Sequence, residues 1–413
     1  MITSKEELKK IVNKEVEDIW VIDPHAHVFP KDFKNSLVWG IDELLTDNHL
    51  VSEYLEFNVV DKAEFILLPK EQQADLIWKT LFIDNTPVSE KQIGIIYILN
   101  KLGIDISTKD LKEIREYFKN VDLEEHIDKV LKAAKVKELV MINDPMDDKE
   151  RKIWQKTGNG DERFKSAISV DALLNSYKDS YKKLREMGYE VNNRLDEKAL
   201  KEIKRYLIEW IKKTEALYLS AVMPPDFLLP AFFQSEKIMK YCIIPVCKEF
   251  NLPFVMIIGI KRGNNTKSGE FTDFVAKGRV AAVEYMCRAY PQNKFIITMA
   301  ARENQYELIN ATKRFKNLYL FGCGSDLSGS NLIEETTKLR MESLGLAFIS
   351  QYSDAKVLEQ LIYIWGFIRK TIANILIEKY KVLLKLGWEI SEKEIKRDVE
   401  TLFNNNFKRM IRE

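Results

Sequence analysis

The sequence predicts an α/β chain folded as a (β/α)8 TIM barrel, with a helical insertion after strand 1 and helices closing its C-terminus. Three observations lead there. Short apolar runs rich in β-branched residues alternate with amphipathic stretches, the pattern of a parallel sheet joined by crossover helices. Eight such runs can be counted along the 413 residues. Two of the four histidines follow directly on the first run, and a barrel carries its active site at the C-terminal ends of its strands.

The opening segment MITSKEELKKIVNKEVEDI has apolar residues at helical spacing among mixed Lys and Glu, and it lacks the apolar stretch of a signal peptide. The first strand is placed at Ile19–Asp23, where Trp20, Val21 and Ile22 precede a polar elbow. The next run begins only near Val136, too far for one crossover helix. Within that gap, EKQIGIIYILNKLG and STKDLKEIREYFKN read as helices, with Ser107 as a cap and Gly103 as a stop. Residues 1–30 and 136–413 are therefore assigned to the barrel, and 31–135 to a helical insertion over its mouth. The remaining strands are expected at Lys137–Asn143, Lys165–Val170, Tyr218–Met223, Phe254–Gly259, Phe295–Met299, Leu318–Phe321 and Ala347–Gln351. A shorter insertion falls between about Asn175 and Glu215, and Lys356–Ile377 and Ser391–Phe403 read as closing helices.

Lys plus Arg number 64 and Asp plus Glu 63, a formal net charge of +1 that gives no support for a nucleic-acid or anionic-membrane partner. No stretch approaches the roughly 20 apolar residues of a membrane span. Cys242, Cys247, Cys287 and Cys323 form no CxxC pair and read as buried, reduced thiols of a cytoplasmic protein. The GNGD run (Gly158 to Asp161) is a turn without the strand and helix of a nucleotide site, and no Walker motif or nucleophile elbow is present.

His25 and His27 stand one residue apart at a strand end, so both imidazoles can aim at one point, and neutral imidazole is a common metal ligand. Asp354 follows the last expected strand, and in a closed barrel that strand lies beside the first. Alone, Asp354 reads as a helix cap; joined to the histidines it completes a two-imidazole, one-carboxylate set suited to one divalent metal such as zinc. Arg302, Glu303 and Asn304 lie just beyond the sixth strand. Arg302 could grip a substrate carboxylate, or simply open a solvated helix. Asn143 and Asp144 end the second strand, either as substrate contacts or as an Asx-Pro turn. His49, just inside the insertion, is a candidate acid or base. His126, in LEEHIDK, reads as a surface residue of a charged helix.

Several motifs resemble the uronate isomerases (glucuronate isomerase) of the amidohydrolase superfamily: DPHAHVFP, WGIDELLT, VMINDP, IGIKRGNN, AARENQYEL, LFGCGSD, SDAKVLEQLIY and the tail GWEISEKEIKRDVETLFNNNF. Their order and spacing agree over nearly the whole length. The resemblance implies a distorted (β/α)8 barrel with one divalent metal, zinc being the usual assignment, and a sugar acid as small-molecule substrate. His25, His27 and Asp354 match the family's metal ligands, and Arg302 its substrate-binding arginine. Five features depart: His49 stands for a tyrosine, Ser169 for an arginine, Ile257 for a histidine, Ser325 and Asp326 for paired tryptophans, and Lys356 for an arginine. These changes take aromatic wall, an imidazole and a guanidinium from the mouth, while Lys356 keeps charge without the planar fork.

The activity so implied is aldose–ketose isomerisation of a hexuronate, D-glucuronate to D-fructuronate in type. His49 or Asp354 would act as base, Lys356 or Arg302 would stabilise oxyanion charge, and Arg302, Asn304 and Asp144 would bind substrate. Two other readings stay open on the same scaffold: a metal-dependent hydrolase or lyase, and a non-catalytic relative that binds a sugar acid. A homo-oligomer is expected.

Overall fold

The structure, a computed structural model, describes residues 2, 4–58, 62–156, 160–231, 233–261, 274–322 and 329–412. Among the described residues nine strands are assigned: β1 (Val21–Ala26), β2 (Val136–Asn143), β3 (Phe164–Ser169), β4 (Leu219–Met223), β5 (Phe254–Ile258), the short β6 (Ile260–Lys261) and β7 (Phe274–Val275), β8 (Phe295–Met299) and β9 (Leu318–Leu320). Seven of them form one parallel sheet in the order β1-β2-β3-β4-β5-β8-β9, while β6 and β7 pair antiparallel outside it. With helices between successive strands, the sheet curls into a distorted (β/α)8 barrel.

The alternation of side chains builds two apolar layers. On β2, Leu139 and Met141 pack outward against helices, while Val140 and Ile142 join the inner cluster. On β5, Phe254, Met256 and Ile258 face out, and Val255 and Ile257 face in. Tyr218, Ile296, Phe321, Ile349 and Tyr352 also belong to the inner cluster, so the barrel interior is a packed core.

The eighth strand expected at Ala347–Gln351 is not a strand. The segment fills the eighth position but does so through isolated bonds. Ile349 N–H donates to the Leu320 carbonyl (3.0 Å), Asp354 N–H to the His25 carbonyl (3.0 Å), and His27 N–H to the Ala355 carbonyl (2.8 Å). The carbonyls of Leu346 and Phe348 are taken by the Asn406 side-chain amide, and Ser350 Oγ donates to the Leu402 carbonyl. Closing-helix side chains thus occupy positions that a ladder would need. Gly322 permits the close approach on the β9 side, because a Cβ there would lie 2.6 Å from Gln351 Cα.

The described residues between 31 and 134 are helical apart from their connections. Helices Glu90–Lys101 and Leu123–Ala134 pack on the long helix Gln360–Lys385. Gly103 (φ 72°) stops the first of these as expected, with Ile104 N–H and Gly103 N–H returning to the Leu99 and Asn100 carbonyls. Ser107 is not the cap of the following helix. Asp110 is, its carboxylate accepting from Lys112 N–H (2.8 Å), because Leu111 and not Thr108 begins the hydrogen-bonded turn. Cys242, Cys247 and Cys287 are buried free thiols; Cys323, Ser325, Asp326 and Gly158 lie outside the described residues. Among the described residues, no helix is long and apolar enough to cross a membrane.

Candidate metal centre

β1 ends at Ala26, and its register against β2 shifts between Asp23 and Ala26. His25 is therefore the last polar residue on the strand, and His27 sits just past it. The two rings nevertheless lie edge to face, 5.6 Å apart. His25 is buried against Phe321 and Tyr352, whereas His27 is 39% exposed. Asp354 adopts a left-handed backbone (φ 56°), which is uncommon outside glycine but more accessible to Asp than to most residues. That turn brings its Oδ1 to 3.7 Å from His25 Nε2 and 3.6 Å from His27 Nε2. The three ligand atoms all lie within 4.8 Å of one another.

Tautomer and charge suit a cation. Tyr218 donates its hydroxyl proton to the Pro24 carbonyl (2.6 Å), so the same oxygen accepts from His25 Nδ1–H at 3.2 Å. The His25 Nε2 lone pair is thereby left on the Asp354 side. Burial, and then the nearby His27, holds the His25 imidazole well below its ordinary pKa, so it is neutral near pH 7. Ligands about 2.1 Å from a tetrahedral ion stand roughly 3.4 Å apart. The two carboxylate–imidazole spacings need to close by only a few tenths of an ångström, and the donor set fits a divalent metal.

Behind the cluster, buried Asp23 joins β1 to the closing segment. Its Oδ1 accepts from Ser353 N–H (3.1 Å) and His25 N–H (3.3 Å), and its Oδ2 from Trp365 Nε1–H (2.9 Å). Burial outweighs these bonds and raises its pKa to about 6. Asp23 and Tyr218 were not singled out in the sequence. The only signals were a carboxylate inside an apolar run and a tyrosine opening one.

A uronate isomerase from Bacillus halodurans shares 43% identity over 100% of this chain and 97% of its own, with a TM-score of 0.97. This chain belongs to the uronate isomerase family. A uronate isomerase from Thermotoga maritima (16% identity, all of both chains, TM-score 0.75) and a glucuronate isomerase from Caulobacter crescentus (11% identity, 98% of this chain and 94% of that one, TM-score 0.77) share its fold. No protein-family model and no curated protein sequence matches it.

In this uronate isomerase family member the other candidates are placed unevenly. His49 is half-buried in the first turn of helix Asn48–Phe57, its N–H bonded to Asp47 Oδ1 (3.0 Å). Lys356 is half-buried two residues beyond Asp354, its N–H bonded to Gln360 Oε1 (2.9 Å). Arg302 is exposed and forks onto Glu335, at 2.8–3.1 Å. Asn304 is fully buried, and its amide bonds both the N–H and the carbonyl of Gly278 (2.9 Å each), so it shapes the loop before helix Val280–Ala289. Ser169 ends β3 and accepts from Asp171 N–H, while Ile257 lines the apolar interior. His126 is not on the surface. It is wholly buried, its Nε2 lies 2.7 Å from the equally buried Glu359, and its ring packs on Trp39 and Phe118. The charged look of LEEHIDK hid the inward face that His126 shares with Ile127.

Asp144 forms the expected Asx turn, its Oδ1 accepting from Met146 N–H (2.9 Å), and burial raises its pKa. Beside it, Glu150 accepts from Asn143 Nδ2 and Asp144 N–H (3.1 Å each). Burial lifts Glu150 from 4.5 to about 8. The folded state therefore keeps this proton to higher pH than the unfolded chain. The stability it contributes is complete below about pH 4.5 and is lost as pH rises towards about 8. Glu150→Gln keeps the accepting oxygen and removes the titration. Relative to this variant, the wild type should lose roughly 3 kcal/mol between about pH 5 and pH 8 in denaturant titrations. Parallel pH profiles would rule this out.

Proposed function

We propose that the protein interconverts an aldohexuronate and its ketohexuronate, D-glucuronate to D-fructuronate in type, with one zinc or similar divalent ion at His25, His27 and Asp354. The single observation behind this reading is the convergence of those three side chains in a chain 43% identical to a uronate isomerase. When bound, the ion supplies Lewis acidity to a carbonyl and its neighbouring hydroxyl. The chain's own residues do the rest. Tyr218 fixes the His25 tautomer, and Asp23 fixes the backbone beneath it. His49 or Asp354 takes the proton from C2 and returns it at C1 while the O2 hydroxyl proton passes to O1, and Lys356 balances the developing oxyanion. Arg302 exchanges Glu335 for the substrate carboxylate. Asp144, whose pKa burial raises, completes the substrate-binding set, while Asn304, fully buried and bonded at both ends to Gly278, shapes the neighbouring loop instead.

Metal-supplied protein should convert glucuronate or galacturonate and exchange the C2 proton with deuterium from solvent. Silence on both hexuronates with zinc, manganese, cobalt and nickel each supplied would refute the proposal.

A further inference from the structure

We propose that Asp47 and Gln360 are a positioning pair that sets the turn carrying His49 against the turn carrying Lys356. The inference rests on the isomerase reading above and deepens it. Gln360 opens helix Gln360–Lys385 and is 9% exposed. Its Oε1 accepts from Lys356 N–H (2.9 Å) and Val357 N–H (3.0 Å). Its Nε2 donates to Asp47 Oδ2 (3.1 Å). The other Asp47 oxygen accepts from His49 N–H (3.0 Å) as the cap of helix Asn48–Phe57. Two side chains thus link the backbone of one proposed catalytic residue to that of the other, across the joint between the insertion and the barrel.

The neighbouring residues hold the same joint. Glu359 accepts from Gly40 N–H (3.1 and 3.2 Å) and pairs with His126, and Leu358 N–H donates to the Val38 carbonyl (2.9 Å). A cavity of about 20 Å³ beside the pair is walled mostly by apolar side chains, Leu44, Leu50, Ile95 and Ile98 among them, together with Lys91. In such surroundings a carboxylate–amide bond is stronger than in water, and an unmatched one is more costly. Proton transfer between C2 and C1 needs the base and the oxyanion partner fixed together. A misplacement of about 1 Å can cost about 100-fold in rate.

The test exchanges donor and acceptor. Gln360→Glu keeps the oxygen that Lys356 and Val357 need but sets a carboxylate against Asp47. Asp47→Asn keeps the cap, and the double variant D47N/Q360E restores the bond with its polarity reversed. In the metal-loaded full chain, Q360E should lower kcat about 10- to 100-fold with KM changed less than about threefold and metal content unchanged. The double variant should recover to within about fivefold of wild type. Amide hydrogen exchange of residues 47–50 and 354–358 should rise together in Q360E and fall together in the double variant. Losses that simply multiply in the double variant, or exchange that rises in only one segment, would overturn the pair. If the wild type turns over no hexuronate, the isomerase reading fails alone, and hydrogen exchange still decides whether the two turns are coupled.

Discussion

Asp354→Asn is expected to strip the protein of its metal while leaving the fold intact. The left-handed backbone at position 354 (φ 56°) is one that asparagine adopts readily, so the substitution removes an anionic ligand without disturbing the turn. His25 and His27 alone offer two neutral ligands, too few for a closed or a catalytic zinc site. Bound metal per chain, read by elemental analysis after dialysis, should fall at least about tenfold, since even loss of a supporting partner outside the ligand set costs 10–100-fold in affinity. Turnover of a hexuronate should fall on the order of 10³-fold, the scale on which losing one electrostatic stabiliser acts. The unfolding midpoint of metal-free protein should move by less than about 3 °C. Full retention of metal by this variant would dismiss Asp354 as a ligand, and a collapse of the metal-free fold would make it a structural residue instead.

Asp23→Ala should produce the largest loss of stability, measured on metal-free protein by denaturant titration. It deprives three N–H donors of their acceptor, those of Ser353, His25 and the Trp365 indole. At ~1–3 kcal/mol for each unsatisfied buried donor, the gross loss is about 6 kcal/mol. Against this, a carboxylate whose pKa is raised from 3.8 to about 6 is itself costly to bury at neutral pH, by roughly 3 kcal/mol, and alanine relieves that. Lost hydrogen bonds win, leaving about 3 kcal/mol of destabilisation at pH 7. The deficit should grow by about 1 kcal/mol at pH 5, because the wild-type carboxyl contributes most where it is protonated and less as pH rises through about 6. A deficit under about 1 kcal/mol would show that the closing segment does not depend on Asp23.

Much of this architecture was legible because buried parallel strands advertise themselves. KELVMIN and FVMIIG are apolar on both faces, and each became a strand within a residue or two of its expected ends. His25 and His27 were legible through scarcity and position. The eighth strand was not, because AFISQ has a strand's composition while its Phe348 carbonyl, with that of Leu346 just before it, is claimed by Asn406, a residue whose part only tertiary packing decides. His126 misled for the same reason. Its partner Glu359 is 233 residues away, and although the helix buries Ile127, Val130, Leu131 and Ala134 on the same side, the flanking Glu and Lys residues drew the reading to the surface. Gln360, Asp23 and Tyr218 work through backbone amides or through another side chain's tautomer, neither of which is written in the sequence.

The closing of the sheet by a late, irregular segment has a consequence for biosynthesis. His25 and His27 leave the ribosome more than 300 residues ahead of Asp354 and of the Asn406 amide that clamps its approach. Ile22 N–H likewise waits for the Asn404 side chain. A nascent chain must therefore carry its first strand unpaired on one side until those distant residues have been made, and the three-sided ion cage cannot take shape before Asp354 has emerged.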